Sequence, residues 1–200
     1  STTTDLIPIA AGQPAPVGRS DAARLASGEL VYLGVVRTPL CALARRIPFD
    51  GTYINVMNEF FATTADIFRL TGELDPERDQ YPPADGGSKD TAATCQRLAR
   101  MIGRDARDAT EADWREFAGH WRRAMTAEIA RNVSRVESRI AAARTSPPTA
   151  ESDRPADSIT RGTDAGQASA DATRAPIVGA GCGLFLAHSL AQRLGRPFLP

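Results

Sequence analysis

Lysine is nearly missing from this chain: Lys89 stands alone among 24 basic residues, and all the others are arginine. Together with abundant alanine this reads as the coding bias of a GC-rich genome, and it singles out Lys89. Net charge is missing too. Twenty-four acidic residues balance the basic ones, so no long-range field draws the chain to nucleic acid or an anionic membrane. Cys41, Cys95 and Cys182 lie far apart with only His120 and His188 for company, which excludes a zinc or redox motif. So sparse and odd a cysteine count suits a reducing cytoplasm. No apolar run approaches the ~20 residues of a membrane span, no stretch resembles a signal peptide, and no internal repeat is visible. An initiator methionine is also lacking, so the chain reads as a fragment or a processed product. What remains, 200 residues with 42% hydrophobic and 24% charged content, allows one or two soluble domains with a sizeable core.

Two stretches stand out. Ser1-Thr2-Thr3-Thr4-Asp5 runs into the apolar Leu6–Ile9. Hydroxyls and closely approaching backbone N–H groups suit an anion, and Asp5 suits a cation held against it. Ile177-Val178-Gly179-Ala180-Gly181-Cys182-Gly183 leads into Leu184–Leu194, a strand, glycine turn and helix of the kind that meets phosphate at a helix N-terminus. Each has a plainer reading, as a strand edge or frayed end and as an ordinary glycine turn, and the turn does not match G-x-G-x-x-G.

Between them, Ser20 caps a helix over Asp21–Ser27 that stops at Gly28. Leu30–Val36 predicts a strand ended by Arg37-Thr38-Pro39, Pro39–Arg45 a helical turn, and Ile47–Tyr53 a short strand or turn. Asn58–Leu70 predicts a helix burying Phe60, Phe61, Ile67 and Leu70. Asp75–Lys89 is a loop by its prolines and glycines. Ser88 is expected to cap a helix over Lys89–Ile102. Thr110 and Asp113 open a longer helix, roughly to Ala143, with Trp114, Phe117, Trp121, Met125, Ile129, Val133, Val136 and Ile140 as its packing face. Its arginines form a solvated face. Thr145–Arg174 is so rich in Pro, Ser, Thr, Asp, Ala and Gly that a disordered surface insertion is expected.

Several blocks carry a family resemblance. Ser1–Ile9 resembles the second half of a glycine–serine–threonine–aspartate phosphate loop in the hydantoinase/oxoprolinase superfamily. Gly28-Glu29-Leu30-Val31-Tyr32-Leu33-Gly34-Val35-Val36-Arg37-Thr38-Pro39 is the most specific block. Asn58-Glu59-Phe60-Phe61-Ala62-Thr63, Asp66, Ala84-Asp85-Gly86 and Arg97-Leu98-Ala99-Arg100-Met101 resemble the same branch. That branch is tied to tetrahydromethanopterin-linked C1 transfer, and its archaeal members join an aminomethylfuran diphosphate to glutamyl-tyramine in methanofuran biosynthesis. The resemblance implies an α/β fold similar to the actin/sugar-kinase/Hsp70 ATPases. It implies one lobe with a helical region over 1–144, the insertion over 145–174, and a completing glycine loop and helix over 175–200. An Asp-x-Gly and a first lobe that the family places upstream are not in this sequence, so an N-terminal lobe is the expected partner.

The implied activity is a cytoplasmic transferase: a phenol oxygen displaces pyrophosphate from a furfuryl-type diphosphate to give an aryl ether. Its substrates would be small molecules, with assembly of the chain into a homo-oligomer left open. Arg37 and Lys89 suit the leaving diphosphate. Glu59 and Asp85 suit the phenol proton. Asp5 and Asp66 suit Mg²⁺, while Ser1, Thr2, Thr3, Asp5, Gly179, Gly181 and Gly183 would line the phosphate or nucleotide side. Two alternatives stay open at this point, an ATP-dependent cyclic-amide hydrolase and a non-catalytic nucleotide-binding subunit.

Overall fold

The computed structural model describes residues 2–145 and 175–200. Ser1 and the expected insertion over 146–174 lie outside the described residues. The chain is mixed α/β, with its β structure in four two-stranded ladders. β1 (Thr4–Asp5) pairs antiparallel with β4 (Leu30–Val31), and β2 (Ile9–Ala10) with β3 (Gln13–Pro14). β5 (Arg46–Phe49) and β6 (Thr52–Asn55) form a hairpin. Its turn is Asp50-Gly51, both at positive φ (49° and 70°), the requirement of a tight hairpin turn whose twist matches its strands. That dipeptide was the hairpin signal inside the stretch expected only as a strand or turn.

Where capping residues set the ends, the expected helices form. α1 spans Asp21–Ser27, with Ser20 Oγ accepting from Ala23 N and Gly28 in the left-handed region. α4 runs Glu111–Thr145, its start fixed by Thr110 and Asp113, which bond each other's backbone N–H at 3.3 and 2.8 Å. α5 spans Leu184–Arg193, and β7 (Ile177–Val178) pairs parallel with β8 (Phe198–Leu199), completing a β–α–β unit.

Three boundaries differ. The strand expected over Leu30–Val36 stops at Val31. Thr38 Oγ1 and Thr64 Oγ1 take the Gly34 carbonyl, and Gly34 N–H donates to Thr38 Oγ1. These bonds turn Leu33–Thr38 inward, burying Leu33, Val35 and Val36. The helix expected from Asn58 is only α2, Thr64–Leu70, because a Thr63/Asp66 capping box starts it there. Before it the chain is tied to Pro39 and Leu40, leaving Phe60 exposed rather than buried. α3 is Thr91–Arg100, capped by Asp90 rather than Ser88. Ser88 Oγ instead donates to Asp90.

α4 is the spine. Trp114, Phe117, Trp121, Met125, Ile129 and Val136 are buried on its inner face. Phe49 stacks on Trp114 at 4.9 Å and meets Phe117 edge-on at 5.2 Å, fastening the hairpin to the helix. Phe68 of α2 meets Phe185 of α5, centroids 4.9 Å apart. Arg122 is not a solvated surface charge. It grips Glu73 through Nε at 2.8 and 2.9 Å and donates to Ser189 Oγ at 2.6 Å, tying α4 to the end of α2 and to α5.

Candidate functional site

The first turn of α2 organises two adjoining groups of side chains. Thr64, its first residue, holds the Leu33–Thr38 turn: besides the Gly34 bond, its N–H donates to Thr38 O and its Oγ1 accepts from Thr38 N. Both candidate ligand loops reach this turn. Thr4 Oγ1 donates to Leu33 O at 2.7 Å, and a Cβ at Gly183 would lie 3.4 Å from Val35 Cγ1. Arg37 projects from the turn into solvent, its guanidinium 4.6 Å from the Tyr81 ring centroid.

Two residues further along α2, Asp66 enters a buried ion network. Asp66 and Arg97 are fully buried, 2.8 Å apart. Arg97 also donates to Asp85, Ser88 O and Thr94 Oγ1. Arg69 donates to Asp66, Asp79 and Thr94. Lys89 sits 3.2 Å from Asp79 Oδ1, an oxygen without a well-aligned hydrogen bond, because the ammonium donates to the Asp79 carbonyl instead. Together these bonds lash the loop from Asp79 to Asp90 onto α2 and α3.

Charge pairing decides the ionisation of this loop. Burial works to raise the Asp79 pKa, yet Arg69 and Lys89 outweigh it and hold the carboxyl below its ordinary value. At Asp85 burial again opposes, and the Gly87 N–H with Arg97 wins, lowering the pKa. Glu29, fully buried, is a third case. Its two oxygens accept from Val17 N, Gly18 N and Ser27 Oγ at 2.6–2.7 Å, and against the penalty of burial these donors and Arg24 keep it ionised. Glu29 therefore staples the Val17–Gly18 segment to the block before β4.

Of the residues singled out from sequence, Asp66, Asp85 and Lys89 come together in the network, and Arg37 adjoins it through Tyr81. Thr2 and Thr3 lie half-buried just ahead of β1. Asp5 is directed elsewhere, toward Arg24 at 2.6 Å. Glu59 stands exposed in the bend before α2, so its apolar sequence neighbours do not bury it. Gly179 has a packing reason to be glycine, since a Cβ would come within 2.8 Å of both Leu184 and Phe198. Gly181 takes φ +84°, and Gly183 precedes the first turn of α5.

A Mg²⁺ site on Asp5 and Asp66 does not fit this geometry. Both carboxylates face arginines, and among the described residues no group of three or more His, Cys, Asp or Glu side chains gathers around a point. No described helix is long and apolar enough to cross a membrane. The residues unforeseen as site elements are Tyr81, Arg97, Arg69 and Asp79. The legible signal was Thr63-x-x-Asp66 with Arg69 three residues on, a capping box carrying its own ion pair.

Known proteins match this chain over most of its length. The model of the hydantoinase/oxoprolinase family covers residues 1–197. A protein of Methanocaldococcus jannaschii is 33% identical over 139 residues, 70% of this chain and 42% of its own length. One from Methanococcus vannielii is 32% identical over 136 residues, 68% of this chain and 61% of its own. Each is a (4-{4-[2-(gamma-L-glutamylamino)ethyl]phenoxymethyl}furan-2-yl)methanamine synthase. The chain thus spans about half the length of these curated relatives. With the family model spanning 1–197, the chain belongs to the hydantoinase/oxoprolinase family, whose members imply an actin/sugar-kinase/Hsp70-like fold.

Proposed function

We propose that this chain supplies one lobe of a transferase that makes an aryl ether from a furfuryl-type diphosphate and a phenol. The carrying observation is its similarity to two synthases named for a product with a phenoxymethyl-furan linkage. In the step proposed, the phenol oxygen attacks the furfuryl carbon and forms the new C–O bond. The bond from that carbon to the diphosphate breaks, pyrophosphate leaves with the electron pair, and the phenol proton passes to a base.

Negative charge grows on the departing pyrophosphate, so stationary cations aimed at it lower the barrier. Arg37 offers a planar fork of donors to solvent. Lys89, half-buried and fixed by Asp79, adds a second positive charge beside the same loop. Asp85 is a poor proton acceptor, since its lowered pKa and its arginine partners favour the anion. Its part is to anchor the loop. Glu59, with its carboxylate in solvent, is the better base. The lobe would comprise residues 1–144 and 175–200, acting in the cytoplasm on small molecules.

The test is to supply the complete protein with a furfuryl diphosphate and a tyramine-type phenol, and to follow pyrophosphate release and the ether by mass spectrometry. Stoichiometric appearance of both is expected. ADP release with opening of a cyclic amide, and no ether, would replace this reading by an ATP-dependent hydrolase.

A further inference from the structure

We propose that Tyr81 is a positioning residue, a platform that holds the Arg37 guanidinium in one plane with its hydrogen-bonding edge free for an oxyanion. The inference rests on the diphosphate reading above and identifies what aims the arginine.

The argument starts from where the donors go. A guanidinium hydrogen-bonds in its own plane through five N–H groups. Arg97 and Arg69 donate to carboxylates, a carbonyl and the Thr94 hydroxyl. Arg37 differs: among the described residues it makes no ion pair and no hydrogen bond, and its contact is the Tyr81 ring. The guanidinium carbon lies over the ring, and an aromatic face supplies no oxygen acceptor. The contact therefore restrains a long side chain while leaving its N–H groups for two phosphate oxygens.

The platform is itself held. Asp79, two residues before Tyr81, is bound by Arg69 and Lys89. Pro82 and Pro83 follow with their fixed φ, Pro83 is buried, and its carbonyl accepts from Gly86 N. Asp85 is then pinned by Arg97. Opposite, the turn carrying Arg37 is closed by Thr38 and Thr64. Both sides of the stack thus rest on α2, whose first turn supplies Thr64 and Asp66. Tyr81 itself is 46% exposed, so its ring is not serving the core, and truncating it leaves no internal cavity.

The experiment titrates inorganic pyrophosphate into the complete protein by calorimetry and measures KM for the diphosphate, kcat and melting temperature. The proteins compared are wild type, Tyr81→Phe, Tyr81→Leu, Arg37→Ala and the Arg37→Ala/Tyr81→Leu double variant. Tyr81→Phe keeps the ring and should leave affinity unchanged. Tyr81→Leu should weaken pyrophosphate binding and raise KM about threefold to fivefold, the scale of an exposed cation–π contact, at an unchanged melting temperature. In the Arg37→Ala background the same leucine should change nothing more. Unaltered binding in Tyr81→Leu overturns the inference, and so does an equal loss with and without Arg37, while ether formation stands in both cases. If wild type binds no pyrophosphate and turns over no diphosphate, the functional reading falls and takes the inference with it.

Discussion

Arg97 and Arg37 both touch the loop from Asp79 to Asp90 and do opposite things with the same functional group. Arg97 is fully buried and spends its donors on Asp66, Asp85, Ser88 and Thr94. Arg37 is exposed and rests on an aromatic face. A buried arginine must satisfy its donors within the protein, because an unpaired charge there is costly. An exposed one can keep donors in water until a ligand replaces it. The contrast separates charge that builds the scaffold from charge available for work.

The sharpest way to break that contrast is to remove Arg97. Arg97→Met leaves Asp66 buried with only Arg69 to neutralise it and frees Asp85 and Ser88. A loss of about 3–5 kcal/mol in unfolding free energy is expected, measured by urea denaturation. A loss under about 1 kcal/mol would place Arg97 with the weak surface pairs and dissolve the distinction. Arg37→Lys tests the other side. It keeps the charge but loses the planar fork, so turnover should fall on the order of tenfold to a hundredfold, some 1.4–2.8 kcal/mol, at unchanged melting temperature. Arg37→Ala should lose more. Falling stability with turnover per folded molecule intact would move Arg37 into the scaffold.

Acid probes the scaffold without mutation. Asp79 and Asp85 both have folded pKa values held below the ordinary 3.8. The unfolded chain therefore takes up their protons first as pH falls. The stability they contribute is fully present above that ordinary value and is lost as pH drops through the lower folded values. Melting temperature should hold down to about pH 5 and decline below about pH 4, and the decline should be shallower in Asp79→Asn. An equally steep decline in that variant would assign the acid sensitivity to other carboxylates. The smallest effect is expected at Asp5, whose pair with Arg24 is partly exposed. Asp5→Asn should cost about 0.2–1 kcal/mol and leave turnover alone. A large fall in turnover would show that Asp5 serves a ligand after all.

Elements whose ends are set by neighbours in sequence were legible. The stripe from Trp114 to Val136 and the Thr110/Asp113 cap specify α4, Ser20 and Gly28 bound α1, and the run from Ile177 to Leu194 contains β7, the glycine turn and α5. Helical periodicity, caps and glycine turns act over a few residues, so one chain displays them. The strand from Leu30 went wrong because its end is set across the fold, by Thr64 on Gly34. The start of α2 is set locally by the Thr63/Asp66 capping box, while the residues before it are held across the fold by the Pro39–Thr63 bridge.

The candidate site divides along the same line. Asp66, Asp85, Lys89 and Arg37 could be picked out by residue type and by the blocks that resemble the family. Their assignments could not, because partners are chosen in three dimensions: Arg97 meets Asp66 from 31 positions away, and Arg37 meets a tyrosine in a different loop. Composition and local pattern alone determined the balance of charge, the helical spine and the glycine turn before α5. Only the tertiary structure decided which arginines are consumed by buried carboxylates and which keeps its donors free, since desolvation and pairing depend on what the folded chain brings alongside each charge.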